Sequence, residues 1–480
     1  MSELRCKPFD SAAELCRLAQ CKPDVAESRY IAAGQAPRSP RTQIQELAMH
    51  RRHFLMSTAV MAGNAAIRGL QSPNDTVRVG VAGLGGRGGS HMSAWSNMKN
   101  VEIVAVCDVD ESHIGNKVQG LESKGLRKPQ VYTDFRQLLE NKDIDVVSIA
   151  TPNHWHTLQT IWACQAGKDV YVEKPCSHNV FESQQIVAAA RKYNRIVQQG
   201  SQSRSSPALR EGVERMRNGE FGEIYMARGL CYKWRDTIGR TPEEPVPPGV
   251  DYDLWLGPAP KRPFTKNRFH YNWHWFWDTG NGDLGNQGIH EVDKARWGLG
   301  VTHPTKVTAI GGKFMFDDDQ ETPNTISAAY EFDVDGKKKM MTFEVRHWIS
   351  PHEAGIQEGK PGNTIGNQFY GANGYVVFDN YNKFYSFLGK DQKPGPTATA
   401  RDEHWLNFMN AVRSRKREEL NAEIEEGALS CNLVHLANIS YRLGRTIHWD
   451  AKKLECIGDD EANKMLTRAY RKPFVVPEKV

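Results

Sequence analysis

An α/β chain in two parts, a doubly wound parallel sheet followed by an open and mostly antiparallel one, is predicted from three observations. Four short apolar runs, 77–82, 101–107, 145–150 and 169–172, alternate with helical patterns over the first part. Residues with chemical character gather at the carboxyl ends of these runs, at 83–88, 108, 151–156 and 173–175, the edge where an open parallel sheet binds its ligand. From Ile224 to about residue 390 strand-like composition takes over, with period-two alternation at 305–314, 325–334 and 338–345.

The first run, Val77-Arg78-Val79-Gly80-Val81-Ala82, passes at once into Gly83-Leu84-Gly85-Gly86-Arg87-Gly88. A G-x-G-x-x-G turn between strand and helix is the dinucleotide-binding fingerprint of a Rossmann domain. Gly83 permits the tight turn, Gly85 lets backbone approach a pyrophosphate, and Gly88 lets the helix pack close to the strand. Gly86 and Arg87 belong to the same cradle. The second run, 101–107, ends in Asp108, 20 residues after Gly88, where a carboxylate binds the adenosine ribose hydroxyls. Val109 and Asp110 follow, with no Arg or Lys to meet a 2′-phosphate, so NAD is favoured over NADP. The run 145–150 ends in Thr151-Pro152-Asn153-His154-Trp155-His156, a helix follows over 157–166, and the run 169–172 ends in Glu173-Lys174-Pro175.

A helix from residue 180 and a short strand at 196–198 close the first domain, and 199–204 form the crossover. A helix over 209–217 stops at Asn218-Gly219, the stretches 242–263 and 355–374 read as long functional loops, and 404–445 turns helical again. The resulting map is an extension at 1–48, a signal-like segment at 49–72, a dinucleotide domain at 73–197, a substrate domain at 198–400, helices at 401–450 and a tail at 451–480.

The net charge of +5 is concentrated in residues 1–72, whose ten Lys/Arg and six Asp/Glu leave 52 basic against 51 acidic residues in the remainder. That near-neutral body lacks the electrostatic footprint of a nucleic-acid binder. The nine cysteines form no C-x-x-C pair, so neither a zinc site nor a disulfide framework is expected, and Cys107 and Cys164 read as small core residues. No metal is expected.

Met49-His50-Arg51-Arg52-His53-Phe54-Leu55 precedes an uncharged apolar stretch, 56–67, too short to span a bilayer comfortably. Paired arginines before Phe-Leu predict twin-arginine export to the periplasm, with retention as an anchor as the alternative to cleavage. A signal so deep in the chain suggests that translation begins at Met49. Because that route carries folded proteins, an exported enzyme would hold its dinucleotide through many turnovers.

Arg268-Phe269-His270-Tyr271-Asn272-Trp273-His274-Trp275-Phe276-Trp277 packs six aromatics into ten residues, interleaved with His, Asn and Arg. Flat rings and polar groups in that mixture suit a carbohydrate face, and a packed aromatic corner or a dimer contact is the alternative. Tyr271, Trp273, His274 and Trp275, with Arg204 from the crossover, are the expected substrate contacts.

Taken together, Gly83–Gly88, Asp108, Thr151-Pro152-Asn153 with His156, Glu173-Lys174-Pro175 and Gly282-Asp283-Leu284-Gly285-Asn286-Gln287-Gly288-Ile289-His290 resemble the glucose–fructose oxidoreductase, inositol dehydrogenase and rhizopine catabolism (Gfo/Idh/MocA) family over residues 75–450. The resemblance implies that Lys174 is the catalytic lysine and His290 the general base. It also implies cofactor contacts from Thr151, Pro152, Asn153, His156, Glu173 and Lys174. The family's usual aspartate four residues before the histidine is Asn286 here. Asn286 would orient substrate, Asp283 could supply the missing carboxylate, Asp293 is a structural contact, and His154 and His156 either line the cleft or bond within the core. The expected activity is NAD-dependent oxidoreduction of a sugar, polyol or glycoside hydroxyl by a homodimer or homotetramer. Glycoside cleavage through transient oxidation and elimination, and a non-catalytic dinucleotide-containing binding protein, are the rival readings.

Overall fold

Short apolar strands buried on both faces, each followed by a helix, wind into a parallel sheet because the crossovers cover both of its sides. The computed structural model describes residues 76–348, 353, 356 and 363–480, and the expectations made for residues 1–72 lie outside them. In chain order the first part is β1 (Val77–Ala82), α1 (Gly86–Ser96), β2 (Val101–Cys107), α2 (Glu111–Glu122), β3 (Gln130–Tyr132), α3 (Phe135–Glu140), β4 (Val146–Ile149), α4 (Asn153–Gln165), β5 (Asp169–Val172), α5 (Val180–Lys192) and β6 (Val197–Gln199). All six strands are parallel in the order β3-β2-β1-β4-β5-β6, a Rossmann sheet whose direction of growth reverses between β1 and β4. Side chains start the helices: Asp110 accepts from Ser112 N–H for α2 and Asn179 from Glu182 N–H for α5.

The second part follows as α6 (Pro207–Arg217), β7 (Ile224–Tyr232), α7 (Tyr252–Leu256), α8 (Gly282–Asn286), α9 (Gly288–Leu299), β8 (Lys306–Gly312), β9 (Thr325–Val334), β10 (Lys337–Arg346), β11 (Thr364–Gly371), β12 (Gly374–Asp379), β13 (Lys383–Leu388) and β14 (Lys393–Thr399). It ends with α10 (His404–Ser414), α11 (Ile424–Leu443), β15 (Ile447–Asp450), β16 (Glu455–Cys456) and α12 (Asp460–Lys464). The large sheet runs β14-β13-β12-β11-β7-β10-β9-β8-β15-β16 and is antiparallel except where β7 meets β10. Helix α9 packs on β7, β10 and β11, while Ile310 and Met340 stand exposed on the opposite face.

Helix α11 joins the halves. Its residues are buried almost all round, against α5 on one side and β8 and α9 on the other, and one apolar cluster runs from Val172 and Val197 through Ile424 and Leu433 to Phe343 and Phe369. Helix α10 returns to the other face of the parallel sheet, where Phe408 packs with Trp95 and Tyr171.

Three expectations about elements need correction. The stretch 242–263 contains α7, started by the Asp251 carboxylate accepting from Leu254 N–H, and 355–374 contains β11, whose Phe369 is fully buried. Helix α4 begins at Asn153 rather than 157, because Pro152 fixes the residue before its first turn. The six cysteines among the described residues are buried and free, Cys107 and Cys164 among them.

Candidate active site

The carboxyl ends of β1, β2, β4 and β5 open onto a cleft of about 400 Å³, whose far wall comes from α7 and from residues 270–274. Gly83, at φ +81°, turns the chain; a Cβ there would meet the Ala150 backbone at 2.6 Å. A Cβ on Gly88 would stand 1.8 Å from the Gly83 carbonyl oxygen, so helix and turn touch through glycine alone. At Gly86 nothing lies within 4 Å of a Cβ position, and α1 starts at Gly85 without a side-chain cap. Its first N–H groups therefore lack side-chain partners beside an open cradle, which fits a pyrophosphate. Two substitutions separate the roles. Gly83→Ala is expected to cost about 1–3 kcal/mol in denaturant unfolding, as strained backbone does. Gly86→Ala is expected to stay within about 0.5 kcal/mol of the parent while weakening NAD binding in a fluorescence titration, because its Cβ enters the cradle. Unchanged NAD affinity would remove the pyrophosphate from that place.

Asp108 lies on the cleft wall, with Oδ2 accepting from Leu84 N–H (2.6 Å) and Oδ1 from Asp110 N–H (3.0 Å). His113 Nδ1 is 3.3 Å from Asp108 Oδ2, and that hydrogen bond raises the imidazole above its ordinary pKa against the effect of burial. His270 reaches across from the second half to place Nε2 2.6 Å from Asp110 Oδ2, its ring 4.4 Å from that of His113. Asp110, His113 and His270 present ligand-type atoms within 4.8 Å of one another, and the hydrogen bonds to Asp110 and Asp108 already engage these imidazoles.

At the other end of the cleft, Lys174 Nζ donates to the Asn286 carbonyl oxygen (2.9 Å) and lies 3.5 Å from Asn286 Oδ1. Burial brings the Lys174 ammonium down to about 8; Glu173 opposes this, and Arg87 and Lys233 add to it. Glu173 accepts from Arg87 Nε (2.7 Å) and faces His91 Nε2 (3.0 Å); burial would raise its carboxyl, but Arg87 and His91 hold it well below the ordinary range.

The carboxylate absent at Asn286 stands one residue further back in the hydrogen-bond chain. Asn286 Nδ2 donates to Asp283 Oδ1 (3.2 Å), and Asp283 accepts two bonds from Arg235 (2.6 and 2.9 Å), with His347 Nε2 at 3.0 Å. Asp283 is almost fully buried; burial alone would raise its carboxyl, yet the Arg235 guanidinium leads the groups that hold it well below its ordinary range. Thus Asp283, Asn286 and Lys174 form one chain that ends in the cleft.

The cleft wall also includes Gly85, Arg87, Thr151, Pro152, His156, Tyr271, Trp273 and His274. Tyr271 is exposed and takes its place beside Arg235, whose Nη1 donates to the phenol oxygen (3.0 Å). His274 stacks on Trp273 with ring centres 3.6 Å apart, and burial followed by the nearby Lys174 drives its imidazole to about 3.

Three expected contacts lie elsewhere. Asn153, in the first turn of α4, turns its amide onto the Pro175 and Ser177 carbonyls (2.9 and 3.0 Å) and away from the cleft. Arg204 is buried and bidentate on Asp293 (2.7 and 2.9 Å), a structural pair that also touches Glu426. Trp275 is buried behind the wall, edge-on to His347 and beneath the Arg235 guanidinium. His290 is buried near Lys174; its Nδ1 has no partner among the described residues, Tyr381 lies edge-on at 5.2 Å, and burial and then Lys174 push its pKa well down. His154 bonds Trp255 O in the core, whereas His156 lines the cleft. Sequence reasoning did not assign His113, His270 or Trp255 to the site. An Asp-x-x-His pair, Asp110 and His113, at the start of the helix after Asp108 was the available signal for the first.

Residues 77–201 match the family model GFO_IDH_MocA, described as an oxidoreductase family with an NAD-binding Rossmann fold. Residues 223–348 and 356–476 match GFO_IDH_MocA_C2, the C-terminal alpha/beta domain of that oxidoreductase family. A glycosyl hydrolase family 109 protein of Shewanella pealeana is 38% identical over 136 residues, 27% of this chain and 30% of the relative. An alpha-N-acetylgalactosaminidase of Shewanella oneidensis is 34% identical over 171 residues, 30% of this chain and 37% of the relative. The matched stretches thus span well under half the length of these curated relatives. Among solved structures, the WlbA dehydrogenase of Bordetella pertussis in complex with NADH and UDP-GlcNAcA superposes with a TM-score of 0.56 at 22% identity, covering 78% of this chain and 99% of that one.

Proposed function

Because the chain belongs to the GFO_IDH_MocA oxidoreductase family, with both its NAD-binding Rossmann domain and its C-terminal α/β domain, we propose that it oxidises or reduces a CH–OH carbon of a sugar, polyol or glycoside. The observation that carries this reading is Lys174: an amine brought to about 8, on the cleft wall, and held by Asn286. NAD supplies the two-electron acceptor. The glycine turn and the start of α1 hold its pyrophosphate, and Asp108 its adenosine ribose; two carboxylates there, Asp108 and Asp110, repel the 2′-phosphate of NADP. A fraction of Lys174 is neutral near pH 7 and takes the hydroxyl proton. Asn286 orients that hydroxyl, its own amide steadied by Asp283. Tyr271, Trp273 and His274 offer ring faces to the substrate. His290 keeps a neutral imidazole near Lys174.

A second reading, glycoside cleavage through transient oxidation, elimination of the aglycone and re-reduction, is favoured by the names of the two Shewanella relatives. NAD-loaded protein mixed with aldoses, polyols and p-nitrophenyl glycosides, an N-acetylgalactosaminide among them, separates the two. Growth of NADH absorbance is the expected result. Released nitrophenol without net NADH selects the cleavage route, and neither signal overturns both.

Arg51-Arg52-His53-Phe54-Leu55 supports export to the periplasm by the twin-arginine machinery. The exposed Ile310 and Met340 on the open sheet face support a homodimer or homotetramer. Cell fractionation of an Arg51→Lys/Arg52→Lys variant and light scattering of the purified protein test these two points.

A further inference from the structure

Helix α2 turns two basic side chains toward the glycine turn. His113, in its first turn, and Lys117, four residues on, share one face of the helix. The His113 ring lines the cleft and packs on Gly85, where a Cβ would stand 3.5 Å from its Cε1. Lys117 Nζ lies beside the opening turn of α1, 2.7 Å from where a Cβ on Gly89 would stand. Glycine at 85 and at 89 thus lets both groups come close to the cradle.

That placement adds positive charge to the positive end of a helix. Helix α1 has no acidic residue in its first turn and no side-chain cap. Lys117 makes no ion pair among the described residues. Arg87, the one basic residue of the glycine turn, is already paired with Glu173 (2.7 Å). Four charged or titratable groups face His113: Asp108 of β2, Asp110 and Lys117 of α2, and His270 from the opposite wall. The Asp108 hydrogen bond leads in holding the His113 imidazole above its ordinary pKa, with Asp110 adding to it and burial and Lys117 opposing. Like charges gathered at a helix start are relieved when an anion enters between them.

We propose that His113 and Lys117 supply the positive charge that holds the pyrophosphate of the cofactor, an anion-binding pair lent to the glycine turn by the neighbouring helix. The inference rests on the NAD reading of the cleft and adds two residues outside the glycine fingerprint. It does not depend on the catalytic role of Lys174. A neutral His113 offers less countercharge, so affinity for a phosphate-bearing ligand falls as pH rises through the raised His113 pKa. Adenosine, which has no phosphate, lacks this dependence.

NAD, ADP and adenosine, titrated calorimetrically into the full-length protein between pH 6 and pH 9, test the pair. His113→Gln and Lys117→Gln are each expected to weaken NAD and ADP about tenfold, the scale of one unit charge acting on another near a protein surface, and adenosine by less than about twofold. Lys117→Arg, which keeps the charge, is expected to restore most of the affinity. The fall of NAD affinity with pH is expected in the parent and absent from His113→Gln. NAD binding equal to the parent's, or adenosine weakened as much as ADP, removes the substituted residue from the phosphate site. A ratio of NAD to adenosine affinity that stays constant with pH in the parent overturns the role of His113 whether or not the variants fold. A parent that binds neither NAD nor ADP overturns the cofactor reading and the pair with it.

Discussion

Lys174→Met is expected to lower kcat by at least about 100-fold, the scale of removing a proton-transfer group, with NAD affinity changed far less. The substitution keeps an unbranched side chain one atom shorter and removes the amine that donates to Asn286 and lies on the cleft wall. The same assignment fixes a pH profile. With the amine at about 8, the neutral form needed to accept a proton is the minority below that pH and the majority above it. In the direction of alcohol oxidation kcat/KM should therefore climb about tenfold per unit up to that region and level off above it, and the Met variant should lose this limb. Near-normal turnover of Lys174→Met, or an unchanged limb in its residual activity, would remove Lys174 from the chemistry.

Asp283→Ala is expected to cost about 3–5 kcal/mol of stability, because it leaves Arg235 largely desolvated without its carboxylate. Pairing Asp283→Leu with Arg235→Met should recover most of that loss, since neither charge is then left alone. The linkage has a definite sign. A carboxyl whose pKa is depressed by folding contributes fully above the range of the unfolded group, about pH 4. That contribution drains away as pH falls toward the folded value. Denaturant melts between pH 3 and pH 7 should show a flatter acid limb for the Leu/Met pair than for the parent. The single variant should also lower kcat, since the Asn286 amide loses its anchor; a stable, fully active Asp283→Ala would dissolve the Asp283–Asn286–Lys174 chain.

The parallel sheet was legible because its longer strands are short, mostly apolar runs, and the glycine turn because its spacing is local. Gly83 and Gly88 meet each other within six positions, so their roles need no long-range knowledge. Arg204 was misread for the opposite reason. Its partner Asp293 lies 89 residues on, and an arginine after a crossover looks the same in sequence whether it serves a ligand or a buried carboxylate. Trp275 was assigned with its neighbours because composition shows an aromatic cluster, while the turn at residues 272–275 divides its rings between cleft and core. Strand β11 hid in a glycine- and asparagine-rich stretch. Asn367, fully buried within it, donates to Glu291 O of α9, a bond that only the tertiary arrangement creates.

The parallel contact of β7 with β10 bears on biosynthesis. Strand β7 emerges first but sits mid-sheet, between β11 and β10, so both its edges stay bare until the ribosome has passed residue 346, and one of them until residue 371. Over that interval the nascent chain carries an unsheathed template for adhesion to other chains. Slow elongation between residues 232 and 346 should lower soluble yield more than the same pause within the first 200 residues, where each parallel strand soon gains a neighbour.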